Sequence, residues 1–251
     1  MKRTALVKYL DTLFRVTAIE DASQNGLQVE GAAEVTRVAF AVDACQTAFE
    51  QAAAAGAQLL IVHHGLFWGR PLLITGVHAR RVETLLRAGV SLYAVHLPLD
   101  LHPTLGHNAR LAAELGLRSR RPFGKDHNIL IGFSGALPRP LPLPALVARV
   151  TRVLGAPPLR VLAHGPRLTR RIGCVSGGAA HLLAQAAEAG LDTYLTGETR
   201  HAAFHEAREL RLNVIFGGHY ATEVPGLKAL SAHLRRRLGL QTVLLDLPTG
   251  W

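Results

Sequence analysis

Cysteine is nearly absent from this chain: Cys45 and Cys174 are the only two in 251 residues, and no Cys-x-x-Cys pair occurs. That argues against a disulfide framework and against a thiolate zinc site. Each cysteine reads as a small core residue rather than a nucleophile. Long apolar runs are missing too. Unbroken stretches are as short as Leu59 to Val62, far below the roughly 20 residues that span a membrane as a helix. The N-terminus is basic and then apolar, but Lys8, Asp11 and Arg15 interrupt it. Leu6, Tyr9, Leu10, Leu13 and Phe14 share one helical face instead, which predicts an amphipathic first helix and no signal peptide. The expected compartment is the cytoplasm, with no membrane partner.

Several familiar catalytic motifs are also missing. Gly177-Gly178 and Gly217-Gly218 follow strand-like runs, yet neither fits a dinucleotide fingerprint or a P-loop. No Gly-x-Ser-x-Gly elbow is present. His201 and His205 share a helix face, but the Glu that follows is Glu206, so the pair is not a His-Glu-x-x-His metalloprotease helix. It reads as pocket lining or surface.

What the chain does have is apolar bulk and arginine. At 49% hydrophobic residues it can build one large core or two ordinary ones. The net charge is +10, mostly from arginine, with clusters at Arg118, Arg120, Arg121 and Lys125, at Arg167, Arg170 and Arg171, and at Arg235–Arg237. Such clusters attract polyanions. Aromatics are not interleaved with them, so no stacking platform for nucleic acid is visible. A solvated basic surface is the favoured reading, with an anionic small-molecule substrate as the preferred partner and nucleic acid as the alternative.

Strand-like and helix-like segments alternate throughout, the pattern of α/β units around mostly parallel sheets. The chain also echoes itself. Val38–Val42, an Ala-rich helix, Gly56 and a strand ending at His63-His64 are matched by Ile172–Ser176, an Ala-rich helix, Gly190 and Asp192–Glu198. Aligning the two glycines, both at helix C-cap positions, puts His64 on Glu198. After a shortening of the next loop, His96 falls on His219 and Asp100 on Glu223. The expected architecture is two similar α/β halves, residues 1–124 and 125–251, facing each other across a metal-containing cleft, with the C-terminal helix packing back on the first half. Pro138–Pro144 reads as a stiff extended stretch entering a helix from about Ala145 to Leu154.

The chemistry concentrates at the strand ends. Gln58–Val62 runs into His63-His64-Gly65; His96 and His219 each follow a strand, with Asp100 and Glu223 four residues further on. In open α/β sheets, ligand sites form beyond the carboxyl ends of strands. Imidazoles with carboxylates suit zinc, iron, manganese or nickel. Neighbouring side chains in a strand point to opposite faces, so His63 and His64 share a cavity only if the chain turns at the strand end, where Gly65 stands. His63, His64, Asp100, His219 and Glu223 exceed what one catalytic ion needs, which favours two divalent ions per subunit with Glu223 as the bridge. Their echo partners His96 and Glu198 would orient ligands or move protons. Asp43 ends a strand and could reach the same place.

These segments, taken together, resemble the NIF3-like family, also labelled GTP cyclohydrolase 1 type 2 homologues. The matching pieces are Gln24–Val29, Val62–Trp68, Ala94–Asp100, Gly106-His107-Asn108, Tyr194–Glu198 and Gly217–Glu223. They run in order over nearly the whole chain. Leu97-Pro98 stands where the family often has threonine or serine. The resemblance implies a dinuclear metal site on His63, His64, Asp100, His219 and Glu223, two similar α/β halves and a ring-shaped homohexamer. The activity it implies is hydrolysis of a nucleotide-like anionic substrate. The alternative is a metal-binding regulatory or interaction module, associated with nucleic acid and without turnover.

Overall fold

The computed structural model describes residues 1–251. The chain forms two compact units, Met1–Leu99 with Leu227–Leu247, and Asp100–Gly226 with Pro248–Trp251. The division therefore falls at Leu99/Asp100, not at 124/125. A cut at 124/125 would sever the strand Arg118–Asp126, which pairs with Ile129–Pro142 as an antiparallel hairpin. The helix His107–Glu114 packs on the same sheet, against Ile129–Pro142 and Leu168–Cys174, so the second unit begins ahead of it, at Asp100.

The first unit contains α1 (Arg3–Phe14), β1 (Gly26–Val29), β2 (Arg37–Asp43), α2 (Gln46–Ala54), β3 (Leu59–His64), α3 (Gly76–Ala88) and β4 (Ser91–Ala94). The predicted first helix forms and buries Leu6, Leu10 and Phe14. The sheet order is β1-β4-β3-β2, closed on the far edge by Gln241–Leu244. β2, β3 and β4 are parallel, in the register Phe40↔Ile61↔Tyr93. The C-terminal strand adds parallel to β2, where the Arg37 guanidinium grips Gln241 Oε1 at 2.7 and 3.0 Å. Ala39, Ala41, Leu60, Val62, Leu92 and Ala94 point to one face and pack with Ala48, Phe49 and Ala52 of α2 and Leu85 of α3. On the other face Phe40, Ile61 and Tyr93 are fully buried, and Tyr93 OH donates to Asp11 Oδ1 of α1 at 2.8 Å. Burial on both faces is why these strands read as continuous apolar runs, not alternating ones.

The chain leaves β4 through the short helix α4 (Leu97–Asp100) and continues with α5 (His107–Glu114), β5 (Arg118–Asp126), β6 (Ile129–Pro142), α6 (Leu143–Leu154), β7 (Arg160–Ala163), β8 (Leu168–Cys174), α7 (Leu183–Glu188), β9 (Thr193–Thr196), α8 (Ala203–Glu209), β10 (Asn213–Phe216) and α9 (His219–Thr222). The sheet order is β5-β6-β8-β9-β10-β7. Its centre, β8-β9-β10, is parallel like β2-β3-β4, while β5, β6 and β7 add antiparallel pairings. The second sheet is thus mixed around a parallel core. Leu182, Leu183, Ala186, Ala203 and Ala207 cover one face with Tyr194, Val214 and Phe216. Leu111 of α5, Leu115 just after it, and Leu146, Val150 and Leu154 of α6 cover the other with Ile172, Cys174, Leu195 and Ile215. Cys174 is core, as its apolar setting demands; burial pushes its thiol up to about 12.

The proline-rich stretch is extended, as its residues dictate, and it belongs to β6. The register with β8 breaks between Ala136 and Leu141, because Pro138 and Pro140 have no N–H for the ladder. The helix that follows begins at Leu143, with Pro144 in its first turn, where a missing N–H costs nothing. The internal echo is realised as two strand–helix–strand units, β2-α2-β3 and β8-α7-β9, with Gly56 and Gly190 after the helices at φ +65° and +66°. Arg118, Arg120 and Arg121 are exposed on the edge strand β5, where charge discourages pairing with another sheet. No helix is long and apolar enough to cross a membrane.

Candidate metal centre

In the first unit the carboxyl ends of three neighbouring parallel strands supply the site. β2 ends at Asp43, β3 at His64, and β4 leads to His96 two residues on. Asp43 and His64 are register partners, and His64 Nδ1–H donates to Asp43 Oδ1 at 2.8 Å. His63 is fully buried, and its Nδ1–H donates to the Val95 carbonyl at 3.1 Å. Ring centroids of His63 and His64 lie 4.7 Å apart, so the pair shares one place although adjacent in a strand. The chain turns directly after them. Gly65 leaves no room for a side chain, since a Cβ there would run into the Gln28 amide and lie 2.7 Å from the Ala94 Cβ. Gln28 Oε1 accepts the Leu66 N–H at 2.8 Å, and Trp68 Nε1–H donates to the Gly65 carbonyl at 2.8 Å. The Gln24–Val29 segment therefore clasps the loop that follows the histidine pair.

His96 joins the same cluster. Its ring lies 4.9 Å from His63 and 5.6 Å from His64, and each of the three residues offers a nitrogen within 4.8 Å of the others. Trp68 stands edge-on to His96 at 5.0 Å. Asp21 fixes His96: its carboxylate accepts Nδ1–H at 2.9 Å, and it also accepts the Leu97 and Ser23 N–H groups and the Asn25 amide. Burial alone would raise the Asp21 pKa, but the His96 hydrogen bond and charge, with Asn25 and Ser23, outweigh it and bring the carboxyl to about 2. Asn25 Oδ1 in turn accepts the His96 N–H at 2.7 Å.

The second unit repeats the device with different residues. β8 leads to Ser176-Gly177, β9 to Glu198, and β10 through Gly217-Gly218 to His219. His219 Nδ1–H donates to Glu198 Oε1 at 2.6 Å, and Nε2 lies 3.0 Å from Glu223 Oε1. Burial lowers the His219 pKa, yet the two carboxylates overcome it and raise it to about 9. Gly177 lets this pair exist. Its φ is +66°, and a Cβ there would clash with Glu223 Oε1 and sit 3.3 Å from His219 Nε2. Its carbonyl accepts the Gly197 and Glu198 N–H groups at 2.9 and 3.0 Å, which fixes the loop carrying Glu198. Asp100, 7% exposed, accepts the Ser176 hydroxyl at 3.0 Å. Ser176 N–H donates to Asn108 Oδ1 at 2.7 Å, and Asn108 is tied to the Ile131 carbonyl at 2.7 Å.

A carbonyl or carboxylate oxygen can only accept, so Nδ1 carries a proton in His63, His64 and His96, and Nε2 is the atom each of these rings can offer a cation. His219 faces a carboxylate at both nitrogens and is held as the imidazolium, so a cation at its Nε2 would replace the proton shared with Glu223. A fixed tautomer backed by a carboxylate or carbonyl is the usual support of a metal-ligating imidazole. His107 has the opposite arrangement. The Gly226 N–H donates to its Nδ1 at 3.1 Å, which puts the proton on Nε2 and makes the buried ring a donor.

The structure thus gathers His63 and His64, and adds His96 to them. It gathers His219, Glu223 and Glu198, and it secures Asp100 through Ser176. Sequence reasoning missed Asp21, Ser176 and the donor role of His107. The only trace of Asp21 was its place ahead of the Gln24–Val29 segment. His201 and His205 stand elsewhere in the second unit, with ring centroids 6.5 Å apart.

Fold and site together define a mixed α/β protein with two sheets, whose strand ends carry His/Asp/Glu groups able to hold a metal ion. The chain belongs to the Duf34/NIF3 (NGG1p interacting factor 3) family, whose profile matches residues 1–249. A Deinococcus radiodurans protein named GTP cyclohydrolase 1 type 2 homolog is 45% identical over 251 residues, covering 99% of this chain and 94% of its own length. A Pyrococcus horikoshii protein of the same name is 42% identical, with both chains fully covered. The crystal structure of a Thermus thermophilus protein, TTHA1606, superposes with a TM-score of 0.92 at 44% identity, over the whole of both chains.

Proposed function

We propose that the chain is a metal-dependent hydrolase of a nucleotide-like anionic small molecule, with two divalent ions held by His63, His64, Asp100, His219 and Glu223. The observation that carries this reading is the fixed imidazole orientation: Val95, Asp43 and Glu198 hold Nδ1 of His63, His64 and His219, which leaves Nε2 as the atom for a cation, beside the Glu223 carboxylate in the case of His219. The donor set fits the ions. It is nitrogen and oxygen throughout, which suits zinc, iron, manganese or nickel, and the carboxylates of Asp100 and Glu223 offset half the charge of two divalent ions. Bound in pairs, such ions supply Lewis acidity and an acidified water.

The residues of the chain set the conditions for that chemistry. Glu223 has two oxygens and can serve both ions, and Glu198 keeps the His219 ring oriented. Asp21 does the same for His96, leaving its Nε2 for ligation or for moving a proton. His107 offers an N–H from a fully buried ring. The names of the relatives support a cyclohydrolase-type substrate, a nucleotide attacked at a ring carbon. We also propose the ring-shaped homohexamer, to be checked by analytical ultracentrifugation.

A second reading, a metal-binding regulatory module that contacts nucleic acid, is favoured by the exposed arginines at Arg170, Arg171 and Arg235–Arg237. Incubation of the metal-reconstituted protein with GTP and a panel of nucleotides separates the two. The hydrolase reading expects turnover that disappears in Glu223→Ala. Absence of turnover with every metal, together with salt-sensitive DNA binding, would overturn it in favour of the module.

A further inference from the structure

One cavity in the second unit has no part in the metal site. It is an open cleft of about 370 Å³, lined by Arg160, Leu162, Thr199, Arg200, His201, Phe204 and His205. That is within the size of small-ligand pockets, roughly 300–1,000 Å³. Three separate parts of the fold build it. Arg160 and Leu162 come from β7, the sheet's edge strand, Thr199–His201 from the loop after β9, and Phe204 and His205 from α8.

The lining is chemically selective. Two guanidiniums and two imidazoles converge on one cavity, a set of donors suited to phosphate oxygens. One carboxylate is close: Glu206 Oε2 pairs with the Arg200 guanidinium at 2.6 Å. That pair neutralises Glu206 and leaves Arg160 as an uncompensated positive charge, with the remaining N–H groups of the Arg200 fork still available. Phe204 is 39% exposed and is flanked by two imidazoles. His164 packs edge-on against it at 5.2 Å and His205 at 5.4 Å. A large aromatic ring flanked edge-on and partly open to solvent offers a surface on which a flat ring can stack. Leu162, 5% exposed, forms an apolar floor.

The pocket is also tied to the metal site by the chain. Thr199 and Arg200 directly follow Glu198, the partner of His219. The chain has no Gly-rich phosphate loop, so side chains must do the work of holding a phosphate.

We propose that this pocket is the recognition subsite for a phosphorylated compound carrying a flat heteroaromatic ring, the arginines taking the phosphate and Phe204 the ring. The proposal rests on the hydrolase reading for its meaning and names that enzyme's substrate class, but it is testable without metal. The full-length, metal-stripped protein is titrated with GTP, GMP and inorganic phosphate by calorimetry. GTP and GMP should bind more tightly than inorganic phosphate. Arg160→Ala and Phe204→Ala alter exposed side chains and should each weaken GMP by about tenfold, the loss expected for one charged hydrogen-bonding or stacking partner. Phe204→Tyr should restore the stacking.

Glu223→Ala separates this from the hydrolase reading. It should abolish turnover and leave GMP binding to the metal-stripped protein intact. Equal binding of GMP by the wild-type, Arg160→Ala and Phe204→Ala proteins, or no binding of GMP to the stripped protein, would overturn the subsite whether or not the metal-loaded protein turns over nucleotides.

Discussion

Glu198 Oε1 stands 2.6 Å from His219 Nδ1, while Glu223 Oε1 stands 3.0 Å from Nε2 of the same ring. One imidazole is thus gripped at both nitrogens, by one carboxylate that orients it and another that shares its ligating edge. The two acids should separate on mutation. Glu198→Gln keeps the shape but removes the charge that holds Nδ1–H, and loss of such a partner typically weakens metal affinity about 10–100-fold. Glu223→Ala removes a proposed ligand and should strip the site. Chelator competition followed by metal analysis reads both. Equal affinity in wild-type and Glu198→Gln protein would mean that Glu198 does not support the ligand.

Gly177 is the residue whose replacement should damage the site most for its size. Its φ of +66° costs an L-residue about 1–2 kcal/mol, and the added Cβ would collide with Glu223 Oε1. Glu223 is 3% exposed, with little freedom to retreat. Gly177→Ala should therefore lower the melting temperature and the metal content together. A control at Gly250, also at positive φ but with open space around it, should lose only stability. If Gly177→Ala retained full metal content, the close approach to Glu223 would not matter for binding.

The strand ends were legible because their signal is local. An apolar run closing on His63-His64, or on His96 or His219 followed by a carboxylate four residues later, needs only a strand and a turn to be recognised. The echo between the halves was legible for the same reason, and β2-β3-β4 and β8-β9-β10 are its two parallel cores. What the sequence hid depends on the path of the chain. Asp21 lies 75 residues from His96, in a loop with no periodicity, and reaches it only because β1 pairs antiparallel with β4. The division at Leu99/Asp100 was hidden because Gln241–Leu244 returns to the first sheet and the β5–β6 hairpin belongs wholly to the second. The tautomer of His107 depends on a single backbone N–H, from Gly226, 119 residues away.

Asp21 links the site to acid stability, and the sign follows from its ionisation. Its carboxyl moves from 3.8 to about 2 on folding, so the folded state favours the charged form. Well above pH 4 the group is ionised in both states, and its whole contribution is present. That contribution is lost as the pH falls from about 4 through about 2, where the folded protein must also take up the proton. A shift of this size corresponds to about 2 kcal/mol. Asp21→Asn should be less stable than wild type at pH 5, with a gap that narrows steadily towards pH 2, as measured by urea unfolding of metal-free protein at half-unit steps. Other carboxylates titrate over the same range in both proteins, so the difference between the two curves isolates Asp21. A gap that stayed constant from pH 5 to pH 2 would show that the Asp21–His96 hydrogen bond does not stabilise the carboxylate.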